Sequence, residues 1–84
     1  SMIVIGKKDP NGKKIYAELI NIPIDGVNPV HGYFMRHDNS IYLVAKGTSE
    51  IFINGVKART NARNRLNPGD IIGLPGVKLI FRRI

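Results

Sequence analysis

IFINGVKARTNARNRLNPGDII, residues 51–72, carries two turns separated by a basic segment, and its reading decides the fold. Ile51-Phe52-Ile53 and Val56-Lys57-Ala58 are short β-branched and aromatic runs joined by Asn54-Gly55. That dipeptide most readily supplies the two positive φ values of a type I′ turn, so the segment predicts a tight antiparallel hairpin with a fixed register. Leu66-Asn67-Pro68-Gly69-Asp70 predicts a second turn, which leads into the apolar pair Ile71-Ile72. Pro75-Gly76 then precedes a last strand, Val77 to Arg82, in which Val77, Leu79 and Phe81 alternate with Lys78, Ile80 and Arg82.

The same punctuation extends toward the N-terminus. Met2 to Ile5 reads as a strand that stops at Gly6, and Asp9-Pro10-Asn11-Gly12 as a turn. Ile15 to Ile22 reads as a further strand, although its Ala-Glu-Leu centre also suits one helical turn. Pro23, Gly26 and Pro29 predict an irregular loop. His31 to Met35 and Ile41 to Ala45 form an expected hairpin around the polar loop Arg36 to Ser40, followed by a loop over Gly47 to Glu50. No stretch shows apolar residues at helical spacing with caps at both ends. The expected fold is therefore all-β: a small β-sandwich of eight to ten short antiparallel strands.

The chain has 84 residues and no cysteine, which predicts one domain held by packing alone. No apolar run reaches the roughly 20 residues of a membrane span, and the N-terminus has no signal-peptide pattern, so an intracellular location, cytoplasmic or nuclear, is expected. Ser1-Met2 reads as a cleavage scar followed by a methionine, so residues 1–84 are read as a single domain excised from a larger protein. Thirteen Lys and Arg against six Asp and Glu give a formal charge of +7, which favours phosphate, acidic peptide, nucleic acid or anionic lipid as partners. Lys57, Arg59, Arg63 and Arg65 place four of these cations in nine residues with no aromatic among them. That pattern suits either a solvated loop or contact with a phosphate backbone without base stacking.

Catalysis is not indicated. Ser40, Thr48, Ser49 and Thr60 lie in no nucleophile elbow, and the carboxylates are scattered rather than paired. His31 and His37, even with Asp38, have no recognised ligand spacing, so no metal or other cofactor is expected.

A hairpin, a Gly-Asp turn and an apolar strand in this order resemble the ends of two small folds. One is an RNA-binding domain named after a ribosomal small-subunit protein, which needs two amphipathic helices where this chain has Pro23, Gly26, Pro29 and Gly32. The other is the ubiquitin-like sulfur carriers, which need a C-terminal Gly-Gly where this chain has Phe81-Arg82-Arg83-Ile84. A third likeness covers nearly the whole chain. Val4-Ile5-Gly6-Lys7, Val27-Asn28-Pro29-Val30-His31, Ile51 to Gly55 and Leu66 to Ile71 together resemble a divergent, minimal forkhead-associated (FHA) domain. That family shows Ile-Gly-Arg, Val-Ser-x-x-His, Gly-Thr-Phe-Val-Asn-Gly and Leu-x-x-Gly-Asp in the same order.

The resemblance implies a β-sandwich of the FHA and SMAD type that meets phosphothreonine peptides with loops at one end. It places Lys7 at the family's phosphate-facing arginine, Asn28 at its phosphate-binding serine and His31 at its loop-bracing histidine. Ser49-Glu50 falls at its Asn-Gly, and Thr48 and Ser49 complete the candidate peptide-binding set. Lysine keeps the charge of arginine but loses its bidentate fork, and Glu50 adds a carboxylate beside any phosphate. The expectation is a non-catalytic protein-protein interaction module with weak or absent phosphothreonine recognition. A basic domain that binds nucleic acid or anionic lipid is the alternative.

Overall fold

A computed structural model of the chain describes residues 2–8 and 18–82. Among the described residues nine strands follow one another: β1 (Met2–Gly6), β2 (Leu19–Asn21), β3 (Gly32–His37), β4 (Ser40–Ala45), β5 (Phe52–Ile53), β6 (Val56–Lys57), β7 (Asn64–Arg65), β8 (Ile71–Leu74) and β9 (Val77–Ile80). They form a five-stranded sheet, in the order β2-β1-β3-β4-β7, and a four-stranded sheet, β6-β5-β8-β9. The two make an all-β sandwich, with no helix among the described residues.

Core formation follows the two-residue period of the strands. In the first sheet Ile5, Leu43 and Ala45 point into the sandwich, and in the second Ile72 and Leu74 do so. Ile5, Leu43, Ile51 and Ile72 are almost completely buried, each worth about 1.5–3 kcal/mol of transfer free energy. In β9 the expected alternation is observed: Val77 and Leu79 turn inward, as does Phe81 beyond the strand, while Lys78 and Ile80 face water. Val4 and Val44 lie on the opposite face, in one row with Tyr33 between them.

The Asn54-Gly55 turn has φ values of 53° and 81°, as a type I′ hairpin requires. Its asparagine does more than turn the chain. The Asn54 amide donates to Asp70 Oδ1 at 2.9 Å, and its Oδ1 accepts the Ile71 N–H at 2.9 Å. Asp70 Oδ2 in turn accepts the Asn67 N–H at 2.7 Å. The hairpin and the Leu-Asn-Pro-Gly-Asp turn are thus two halves of one clasp, which accounts for their joint presence. The bond from Asn67, and then that from Asn54, hold the Asp70 carboxyl below the ordinary aspartate range.

Three expectations need correction. β1 and β2 pair in parallel, whereas every other paired strand runs antiparallel. Residues 7–18 are numerous enough to return the chain to the same end of the sheet, which a tight turn is not. The β3–β4 turn is shorter than the predicted Arg36–Ser40 loop: Arg36 and His37 pair with Ile41 and Ser40, leaving Asp38-Asn39 as the connection. Asp38 supplies the positive φ of 55°. Finally, the basic segment is not all loop, because Asn64 and Arg65 form β7 against Leu43 and Tyr42. The predicted turn at Asp9 to Gly12 and the first part of the Ile15–Ile22 strand lie outside the described residues; β2 is the part of that strand that is described.

Candidate functional site

Three connections meet at one end of the sandwich: the residues after β1, the loop from Ile22 to His31, and the loop from Lys46 to Ile51. Gly6 makes the first two touch. A Cβ there would sit 2.1 Å from the Pro29 carbonyl oxygen, so only glycine lets the chain approach closely enough for the Lys7 N–H to reach the Asn28 carbonyl at 2.9 Å. His31 joins the second connection to the third. Its ring is buried, with 1% exposure. Nδ1 accepts the Asn28 N–H at 3.1 Å, which puts the ring proton on Nε2, and Nε2–H donates to the Glu50 carbonyl at 2.8 Å. The His31 backbone also bonds to Ile5 and Lys46. Every polar atom of the residue is engaged inside the protein.

Asn28 and Ser49 form a second link between these loops, with the Asn28 amide donating to Ser49 Oγ at 2.6 Å. Ser49 is buried, and its N–H closes the turn onto the Lys46 carbonyl at 3.0 Å. Thr48 is exposed at the tip of that turn, beside Gly47 at φ 60°. Lys7 extends toward Asp25, with Nζ 3.4 Å from Oδ1 in an exposed pair that contributes little to stability. The Glu50 carboxylate lies 3.6 Å from Lys57 Nζ on β6. The structure thus brings Lys7, Asn28, His31, Thr48 and Ser49 to one end of the molecule. The Asn28 amide and the His31 ring are turned to loop bracing, whereas Thr48 is exposed and the Lys7 ammonium pairs with Asp25.

The predicted basic patch divides in two. Lys57 belongs to the second sheet and pairs with Glu50, whereas Arg65 stands opposite Tyr42 in the first sheet. Arg63 places its guanidinium carbon 6.0 Å from the centre of the Tyr42 ring. Between them Asn64 turns the other way, and its amide faces the carbonyls of Leu43, Ala62 and Arg59 at 3.1, 3.0 and 3.4 Å. Tyr42 escaped the sequence reading because it lies some twenty residues upstream of the segment it joins. The available signal was the two-residue spacing of Arg63 and Arg65 around an asparagine, which is a strand's period rather than a loop's.

No family model matches the sequence, and neither does any curated protein. Solved structures do match. The MEK1 FHA domain, in complex with a phosphothreonine peptide of HOP1, superposes with a TM-score of 0.73 at 16% identity, covering 98% of this chain and 79% of that one. The yeast Pml1 splicing factor gives 0.76 at 19% identity, over 100% of this chain and 63% of its own. The second FHA domain of a Mycobacterium tuberculosis ABC transporter gives 0.71 at 18%, over 95% and 66%. The chain has the forkhead-associated fold. At these identities the likeness is one of backbone architecture, and within the FHA fold the loops gathered by Gly6 and His31 are those whose sequence resembles the family's peptide-binding motifs.

Proposed function

We propose that this chain is a non-catalytic protein-interaction module that uses the loop end of its FHA fold, with little or no dependence on phosphothreonine. The supporting observation is the 2.6 Å bond from the Asn28 amide to Ser49 Oγ. It engages the donor that stands where the family resemblance places a phosphate-binding serine. The lysine at the arginine position offers a point charge without a fork and leans toward Asp25. The fold supports interaction chemistry, since the MEK1 FHA domain carries a bound phosphothreonine peptide. A location inside the cell, as one domain of a longer protein, goes with this reading.

Calorimetry with a phosphothreonine peptide and its unphosphorylated twin tests the proposal. Binding of the phosphopeptide is expected to be weak, to fade as salt is raised, and to drop no more in Lys7→Ala than in Lys78→Ala, a comparable exposed lysine. Tight, salt-resistant binding of the phosphopeptide alone, lost in Lys7→Ala or Asn28→Ala, overturns it.

A further inference from the structure

The outer face of the five-stranded sheet, far along the strands from the loops that cluster around His31, carries residues that peptide reading does not use. The ladder aligns Met2, Met35, Tyr42 and Arg65 in one cross-strand row. Arg63 approaches the same tyrosine ring from the β7 side. One guanidinium, that of Arg63, therefore lies against the ring at the sheet edge while Arg65 stands across the strand pair from it, and Asn64, held by backbone carbonyls, fixes the segment that carries both. Among the described residues no carboxylate pairs with Arg59, Arg63 or Arg65. The side chains that share this face from the neighbouring strands, among them Tyr33, Met35 and His37, include no carboxylate. Asp38, in the adjoining turn, lies 3.7 Å from His37 Nε2.

We propose that this edge of the sheet binds single-stranded nucleic acid, with Tyr42 as the stacking surface for a base and Arg63 and Arg65 as contacts to phosphate. The net charge of +7 supplies attraction at long range. The directional part is local. A flat sheet face does not enter a duplex groove, but an unpaired base can lie on an aromatic ring while the backbone runs along a basic edge. An acidic peptide is the less suitable partner, because a ring on a basic edge rewards a ligand that alternates planar bases with phosphates. A vesicle surface would favour lysines spread around the body over arginines gathered on an aromatic.

The test is fluorescence anisotropy of the full chain with a labelled ten-nucleotide oligouridine at low salt and then at rising salt. A duplex of equal length, a glutamate-rich peptide and phosphatidylserine vesicles serve as competitors. Binding is expected with a salt slope of at least about −1.4, roughly −0.7 for each of two phosphates. Tyr42→Leu, which keeps apolar bulk without a ring, is expected to weaken it by about fivefold or more. The double variant Arg63→Ser with Arg65→Ser, on side chains at the sheet edge, is expected to remove most of the slope; it carries the test if Tyr42→Leu fails to fold. Equal binding by Tyr42→Leu, competition by the peptide or the vesicles as strong as that of unlabelled oligouridine, or no binding at millimolar protein each overturns the proposal.

Discussion

Replacing His31 with leucine removes a side chain that bonds to two loops at once. The ring accepts from Asn28 and donates to Glu50, at 3.1 and 2.8 Å, with 1% of the residue exposed. Leucine is close enough in bulk to leave little cavity, so the change isolates the hydrogen bonds. Each lost bond is worth about 1 kcal/mol, and each stranded, partly buried partner adds a further penalty, for a total of about 2–4 kcal/mol. A chain of this length has about 4–13 kcal/mol in all, so the variant loses a large fraction and its melting temperature falls by about 10–25 °C. Urea unfolding followed by far-ultraviolet circular dichroism measures this. His31→Gln, whose amide can still donate toward Glu50, should fall between leucine and the parent. If His31→Leu unfolds within about 0.5 kcal/mol of the parent, the histidine is not the brace that the geometry indicates.

Gly55→Val should cost about 1–3 kcal/mol through backbone conformation alone, because φ is 81° and an added Cβ meets nothing within 4 Å; overlapping urea curves would refute the type I′ assignment. Gly6→Ala should be more severe, since its Cβ would fall 2.1 Å from a backbone oxygen that cannot yield as a side chain can. Hydrogen exchange at Lys7 and Asn28 should lose protection there, and unchanged exchange would show that the loops do not depend on that approach. Asp70 has its folded pKa depressed by Asn67 and Asn54. Its contribution is therefore present above the unfolded value of 3.8 and lost as pH falls through the lower folded value. Asp70→Asn should flatten that acid limb of a stability-pH profile while leaving its neutral region less affected by pH, and an acid limb identical to the parent's would refute the assignment.

Much of the fold was legible because its strands announce themselves locally. Asn54-Gly55 dictates its own hairpin, and Val77-Leu79-Phe81 reveal by period which side faces the core. The parallel β1–β2 pair and the β7–β4 pair were not legible, since each joins residues with no adjacent turn to set the register. The candidate site was legible in membership through a family resemblance, but not in its internal wiring. No local pattern shows that the Asn28 amide spends itself on Ser49, twenty-one residues away, because such bonds depend on how loops dock. The same holds for Tyr42 and Arg63, whose meeting depends on which sheet the basic strand joins.

That strand's route has a mechanical consequence. The chain leaves the second sheet after β6, crosses to the first as β7, and returns as β8, whose start the Asn54–Asp70 bond fastens to the β5–β6 turn. It works as a stitch through both layers. Parting the layers strains the links on either side of β7, so the two sheets are expected to open together. Slow-exchanging amides in β3–β4 and in β8–β9 should therefore share one opening free energy, the signature of a single cooperative unit rather than of two.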